Sequence, residues 1–331
     1  MGMAGDMTTR AARIQRTGGP EVIEWIDIEL PPPGPGEVRM RNTAIGLNFI
    51  DTYHRSGLYP VPLPSGLGGE AAGVVEAVGE EVEAFATGDR VATPGPGLGA
   101  YSTARNVKAM TLFKLPGDIS DETAAASLLK GCTAEFLIER CARVQPGSTV
   151  LVHAAAGGVG QIAVRWLKAI GAQVIATVGS EPKVALARGA GADHVLLSRE
   201  DDVAARVREI TGGIGADVVL DGVGAATWKA SLASCKRRGL VVSFGNASGP
   251  VENVGLGELA RAGSVFVTRP TLFDYYVTPD ERAAGSARLF GMLRSGAVRA
   301  DINQRFALED AAEAHRALEA GETTGSTVLL P

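Results

Sequence analysis

The chain has 331 residues, 45% of them hydrophobic, with 32 basic and 37 acidic side chains and a formal charge of −5. That length can bury a large core and predicts two domains, while the mixed, mildly acidic balance offers no basic field to recruit nucleic acid or an anionic membrane. No run of about 18 or more apolar residues suggests a membrane span. The stretch Met1–Met7 lacks the basic n-region and apolar core of a signal peptide. We therefore expect a cytoplasmic protein in which Met7 is the native start and the residues before it a disordered extension.

In chain order, residues 8–125 show short alternating segments at 13–15, 21–28, 38–47, 73–78 and 90–92, broken by Pro- and Gly-rich turns, which predicts a twisted β-barrel-like domain. A helix is predicted to begin at Ser120 as N-cap, with Asp121 and Glu122 in its first turn, and to continue toward Arg143. Six apolar strands follow, at 149–154, 173–178, 194–198, 216–221, 239–244 and 264–269. Helices are expected between them near 158–170, 181–190, 201–211, 226–236 and 255–262. Such alternation calls for a six-stranded, doubly wound α/β sheet of the Rossmann type. After Pro270 come helices at 280–295 and 309–320 and strands at 302–306 and 326–330. The last strand needs an edge to pair with, and the first domain supplies the simplest one. The expected division is thus 8–126 with 271–331 for a discontinuous catalytic domain and 127–270 for the nucleotide domain, with the active-site cleft expected between the two lobes.

The turn after the first of the six strands reads His153-Ala154-Ala155-Ala156-Gly157-Gly158-Val159-Gly160. Small residues at Ala154, Gly157 and Gly160 permit a tight turn, a close backbone approach to a pyrophosphate and a helix pressed on its strand. Ala156, Gly157, Gly158, Val159 and Gly160 are accordingly predicted to bind a dinucleotide, with helix N-terminal amides facing its phosphates. The second strand ends at Val178, Gly179 and Ser180, without the Asp or Glu that would bond a ribose 2′-hydroxyl, and Lys183 follows. With no carboxylate to repel a 2′-phosphate, Ser180 and Lys183 point to NADPH; the alternative for Lys183 is a solvated helix-opening lysine.

Three cysteines, Cys132, Cys141 and Cys235, form no C-x-x-C pair, and none of the four histidines, at 54, 153, 194 and 315, stands four residues from another. No metal site is expected.

From about Ala11 to Pro331 the chain resembles the zinc-independent quinone oxidoreductases of the medium-chain dehydrogenase/reductase superfamily, the branch that includes zeta-crystallin. The resemblance is carried by Gly18–Val22, Ala44–Tyr53, Arg55–Pro60, Leu67–Gly73, His153–Gly160 and Arg238–Asn246. It implies a GroES-like catalytic domain beside the Rossmann domain, NADPH, a homodimer, and transfer of hydride or electrons to a quinone. Zinc-bearing relatives would have a catalytic Cys near Asn48–Asp51 and Gly-His-Glu where this chain has Gly68-Gly69-Glu70. Without a Lewis acid, alcohol dehydrogenation loses its mechanism, whereas a quinone accepts hydride readily.

The resemblance also implies roles for individual residues. Asn48, Asp51 and Tyr53 would line the catalytic wall: Asn48 bonding a quinone oxygen or the nicotinamide, Tyr53 stacking on the ring or donating to its oxygen. Asp51 is open between a catalytic and a structural role, and Glu70 is expected to cap or bridge inside its Gly-rich turn rather than act as an acid. Thr133 would line the cofactor side, Phe244, Gly245 and Asn246 the nicotinamide, and Gly325 and Ser326 the outer half of the cofactor. Arg269 would bind phosphate or join an interdomain ion pair. Ser198 stands where bacterial relatives carry a Tyr that packs on the adenine side, which weakens the expected grip on that end unless Arg199 supplies charge.

Two further readings compete with quinone reduction. Reduction of the C=C bond of an enal or enone needs the same hydride geometry and a proton donor, for which Tyr53 is the nearest candidate. A crystallin-like or RNA-binding role is the reading of another class, disfavoured by the acidic balance.

Overall fold

The computed structural model describes residues 6–331; the extension expected before Met7 falls largely on Met1–Gly5, outside the described residues. The chain divides into two compact units, one of Met1–Leu129 with Ala300–Pro331 and one of Lys130–Arg299.

The second unit is a six-stranded parallel sheet in the spatial order His194–Leu197, Gln173–Val178, Thr149–Val152, Ala216–Asp221, Cys235–Ser243, Phe266–Thr268. Its central strands are runs of Val, Ile and Leu because both faces are covered: Leu151, Ile175, Val219 and Val241 are all fully buried. Helices Gly158–Ala169, Val184–Gly189, Val203–Ile210, Trp228–Ser234 and Leu256–Arg261 supply the crossovers. Strand order reverses on either side of Thr149–Val152, and such a reversal opens a crevice at the carboxyl ends of the strands. Two strands depart from expectation. Cys235–Ser243 starts before 239, carried past a bulge by the pairing of Cys235 with Ala216. The strand expected over 264–269 is confined to Phe266–Thr268, because Ser264 takes a left-handed φ of 55°.

The first unit holds a seven-stranded sheet in the order Ile302–Ala307, Ser326–Leu330, Glu37–Leu47, Ala71–Val78, Arg90–Thr93, Phe113–Lys114, with Ala104–Lys108 also paired to Glu37–Leu47. A smaller sheet orders Glu24–Leu30, Met7–Ile14 and Ser65–Gly66. The final strand lies antiparallel to the third, with Thr327 opposite Leu47 and Val328 opposite Gly46, so the chain's end returns to its first domain. Its core gathers Ile14, Val38, Met40, Ile45, Leu67, Tyr101 and Leu329. The short helix Phe49–Ser56 was not anticipated; it is started by Asn48 and Asp51 and stopped by Gly57 at φ 88°.

The domain division needs two corrections, the smaller being that residues 127–129, assigned from the sequence to the nucleotide domain, belong to the first unit. Residues 271–299, assigned from the sequence to the catalytic domain, belong to the nucleotide unit. Leu289, in helix Pro279–Arg294, packs so closely on Gly131 that a Cβ there would lie 2.4 Å from its Cδ1. Tyr276 donates to the buried Glu135 carboxylate at 2.9 Å, and the Arg140 guanidinium lies 4.7 Å over the Tyr276 ring.

Candidate active site

The residues singled out from the sequence are divided between the two units. In the nucleotide unit, Ala154 turns the chain at φ 52°, the Gly157 amide donates back to the Ala154 carbonyl at 3.0 Å, and the helix starts at Gly158. The amides of Gly158, Val159 and Gly160 precede any helical acceptor and are the groups an anion can claim. Gly160 is dictated by space, since a Cβ would lie 2.4 Å from the Ala154 oxygen and 2.7 Å from the Ala155 Cα. Ala156 is buried and its carbonyl accepts the Gln161 side-chain amide at 2.8 Å, which braces the turn.

Behind this turn lies a fully bonded buried network. His153 meets Thr177 Oγ1 through Nδ1 (2.9 Å) and Ser231 Oγ through Nε2 (3.1 Å), while Ser231 and Thr227 donate to Asp221 at 2.6 and 2.8 Å. Burial pushes the His153 ring below its ordinary value despite the Asp221 charge. None of these partners was singled out from the sequence, because only folding brings the three strands and the helix together.

At the neighbouring strand end, Ser180 precedes a 3-10 turn that carries Lys183, half-buried. Burial, and then the charge of Arg199, hold the Lys183 ammonium below its ordinary value. Val178 pairs with Leu197 in register, and Ser198 donates from both its amide (2.9 Å) and its hydroxyl (3.2 Å) to the Val178 carbonyl. Ser198 therefore ties two strand ends together and sets Arg199 near Lys183. Phe244, Gly245 and Asn246 leave the fifth strand half-buried, pressed against the fourth: a Cβ on Gly245 would lie 2.2 Å from the Gly222 oxygen. Thr133 is half-buried in helix Asp121–Glu135, shortly before the π-helical turn Phe136–Cys141. Arg269 is exposed beyond the sixth strand.

In the first unit Asn48 ends the strand Glu37–Leu47 and begins the helix Phe49–Ser56. Its side-chain nitrogen donates to Glu70 Oε2 at 2.8 Å and to the Gly46 carbonyl at 3.3 Å. Glu70 is fully buried, and its other oxygen accepts the Leu129 amide at 2.6 Å. The carboxylate fixes the orientation of the Asn48 amide, because an acceptor must face the N–H side. Both N–H groups are thereby committed. A donor bond from Asn48 to a quinone oxygen would have to displace Glu70 or Gly46; toward a ligand donor Asn48 presents Oδ1, an acceptor that also serves the capping box with the Asp51 amide. Glu70 bridges elements, as expected.

Asp51 is buried, accepting the Asn48 backbone amide at 2.9 Å and the Tyr101 hydroxyl at 3.1 Å, which is the structural alternative of its two readings. Tyr53 is buried and packs edge-on against Tyr59 at 5.2 Å between centroids. Ser326 is 1% exposed and its hydroxyl donates to the Ala126 carbonyl at 2.8 Å, so its side chain serves the unit's own packing. At the positions where zinc-bearing relatives place ligands, the residues are committed to one another. Among the described residues no three His, Cys, Asp or Glu side chains are grouped as a metal would require.

Two family models match the chain: the alcohol dehydrogenase GroES-like domain over residues 34–138 and the zinc-binding dehydrogenase domain over 158–281. The chain is 54% identical to a quinone oxidoreductase of Pseudomonas aeruginosa, over 97% of this chain and all of that one. It is 44% identical to a 2-haloacrylate reductase of a Burkholderia species, over 97% of this chain and 98% of that one. Among solved structures, the Escherichia coli quinone oxidoreductase complexed with NADPH superimposes with a TM-score of 0.95 at 48% identity, over 98% of this chain and all of that one. Two domains and their order are shared with these proteins, which align over nearly the full length of the chain, and the chain belongs to the quinone oxidoreductase family of the medium-chain dehydrogenase/reductase superfamily.

Proposed function

We propose that the protein is an NADPH-dependent quinone reductase that works without zinc. The observation that carries the cofactor reading is the pair of cations, Lys183 and Arg199, at the end of a strand that has no carboxylate. Two positive groups held close together are stabilised by an anion between them, and a 2′-phosphate is such an anion where a ribose hydroxyl is not. The residues fit the rest of the cofactor: the Gly158, Val159 and Gly160 amides suit its pyrophosphate, and the half-buried Phe244, Gly245, Asn246 and Thr133 are assigned to its nicotinamide end. Arg269 is assigned to a phosphate, and Ser326, whose hydroxyl goes to the Ala126 carbonyl, is assigned to the outer half of the cofactor through its backbone.

Bound NADPH supplies a hydride from its nicotinamide. The residues of this chain position and bind rather than polarise. Asn48, with both N–H groups given to Glu70 and Gly46, offers Oδ1 to a ligand donor such as a carboxamide N–H, a ribose O–H or the O–H of a hydroquinone. Asp51 holds the helix start that carries Asn48, and Tyr53 contributes an aromatic face. Quinone reduction asks for little more, because aromatisation stabilises the product and the second atom taken up is a proton from water. Zinc-free action is supported by the mutual commitment of Asn48, Asp51 and Glu70. Cytoplasmic placement is supported by Cys132, Cys141 and Cys235 forming no disulfide among the described residues, as in reducing compartments. A homodimer is supported by the exposed edge strand Phe266–Thr268.

The Burkholderia relative favours a second reading, hydride addition to the C=C bond of an activated alkene. There a proton must also reach the α-carbon, and Tyr53 is the candidate donor.

Steady-state kinetics with NADPH and NADH, a small quinone and an enone, with and without a strong chelator, test these readings. Quinone turnover with NADPH, unaffected by chelation, is expected. A charge-assisted bond to a phosphate contributes roughly 1.5–3 kcal/mol, so Lys183→Ala should raise the NADPH KM about 10- to 150-fold, leaving kcat and the NADH KM nearly unchanged. Equal losses with both cofactors would return Lys183 to the rank of surface lysine, and faster enone than quinone turnover would favour the second reading.

A further inference from the structure

A directed chain of hydrogen bonds runs from a half-exposed carboxylate to Asn48 through four buried side chains. At its outer end Glu319 accepts the Arg55 guanidinium in a two-pronged bond, at 2.9 and 2.6 Å. Arg55 also donates Nη1 to His315 Nδ1 at 3.0 Å. A guanidinium has only donors, so Nδ1 must be the bare nitrogen and the ring proton must sit on Nε2. That proton points at the Tyr101 oxygen, 2.9 Å away, and the Tyr101 hydroxyl in turn donates to Asp51 Oδ2 at 3.1 Å. Asp51 Oδ2 is the same atom that accepts the Asn48 backbone amide. Arg55, His315, Tyr101 and Asp51 are each at most 2% exposed.

We propose that Tyr101 and His315 are positioning residues for Asn48: they fix the Asp51 carboxylate, which in turn fixes the helix start on which Asn48 is carried. Each link has one polarity, so a single arrangement of protons satisfies every link from Arg55 to Asp51 Oδ2. The chain sets geometry and does not carry protons. A guanidinium has donors only and is no proton relay, and that of Arg55 separates Glu319 from the ring. Burial and the adjacent Arg55 charge push His315 down to about 3, so the ring is neutral whenever the enzyme works, as the Arg55 contact requires. The sequence separations, 260 residues from Arg55 to His315 and 214 from Tyr101 to His315, show that the C-terminal helix Ala311–Glu319 completes a site begun near residue 48.

The inference rests on the assignment of Asn48 to ligand binding, and a double-mutant cycle separates the two. Tyr101→Phe removes one oxygen and leaves the ring; Asn48→Ala removes the group being positioned. In the wild-type background Tyr101→Phe is expected to lower kcat/KM for quinone reduction about 10-fold, while in the Asn48→Ala background it should change nothing further. Additive losses would make the chain a stability element only and overturn the proposal, as would full activity of Tyr101→Phe. If Asn48→Ala alone keeps full activity, the assignment of Asn48 fails and the positioning proposal falls with it. Should Tyr101→Phe not fold, Glu319→Gln at the half-exposed end carries the same cycle with the same readings. Full activity or an additive loss overturns the proposal there too.

Discussion

Gly160 and Ala154 face each other across the nucleotide turn and show how differently two small residues can be constrained. Ala154 sits in the left-handed region at φ 52°, where an L-residue is strained by about 1 kcal/mol, but its side chain is exposed and meets no neighbour that must move. Gly160 has an ordinary helical backbone and no space, because the atoms a Cβ would strike are backbone atoms of Ala154 and Ala155. Ala154→Gly should therefore leave stability within about 1 kcal/mol of wild type, relief of strain being offset by a more flexible unfolded chain. Gly160→Ala should cost about 1–3 kcal/mol and weaken NADPH binding, since the helix start must move off its strand. Urea unfolding and cofactor titration of both variants check this, and an undisturbed Gly160→Ala would mean that the turn yields more than its contacts imply.

Elements are pinned to one another by groups whose protonation matters. His153 joins the turn after Thr149–Val152 to Thr177 on the next strand and Ser231 on the helix Trp228–Ser234, and His315 joins its own helix to Arg55 and Tyr101. Both rings are buried and held neutral, whereas in the unfolded chain they take up a proton near their ordinary value of 6.5. As pH falls below 6.5 the unfolded state binds more protons, so folding stability drops, by up to about 1.4 kcal/mol per pH unit for His315 and in the same direction for His153. Paired carboxylates such as Asp193 and Glu37 lose stability only at lower pH, below their ordinary values near 4. Between pH 7.5 and 5.5 His315 alone is expected to lower the unfolding free energy by about 1.4 kcal/mol, with His153 adding to the fall, measured by urea titration, and a flat profile would mean the rings take up protons in place. The element pattern itself was legible where one force dominated: the parallel strands are apolar runs with Gly turns between them, and five of the crossover helices were placed within a few residues. The strand Ala104–Lys108 was not, because Ala-Arg-Asn-Val-Lys carries little alternation and is held by pairing with Glu37–Arg41 rather than by its own pattern. Phe49–Ser56 was missed because its aromatic and β-branched residues speak against a helix, and only its capping pair speaks for one. In the site, residue types and their neighbourhood could be read from the motif, but the hydrogen-bond polarity of Asn48 could not. It depends on Glu70, 22 residues away.

At the scale of the whole molecule, the nucleotide sheet ends on a strand that is apolar and unprotected. Phe266–Thr268 pairs on one side with Cys235–Ser243, in a register that sets Leu240 beside Phe266, and Phe266 is 63% exposed and Val267 36%. Val254 and Leu256, in the segment leading to it, are exposed as well, Leu256 at 82%. A bare edge of this kind invites pairing with other chains, and proteins that leave one unpaired usually shorten, charge or twist it; here it is short but carries no charge. Pairing with its own copy across a two-fold would satisfy both edges and cover the exposed Phe and Val, because a two-fold contact brings the same strand to each side. A dimer is therefore expected at micromolar concentration by light scattering. Phe266→Lys, which places a charge at the edge without touching either candidate site group, should shift the mass toward the monomer and leave cofactor affinity unchanged. A monomeric wild type would show that the strand is tolerated bare, and a dimer that survives Phe266→Lys would place the contact elsewhere on the molecule.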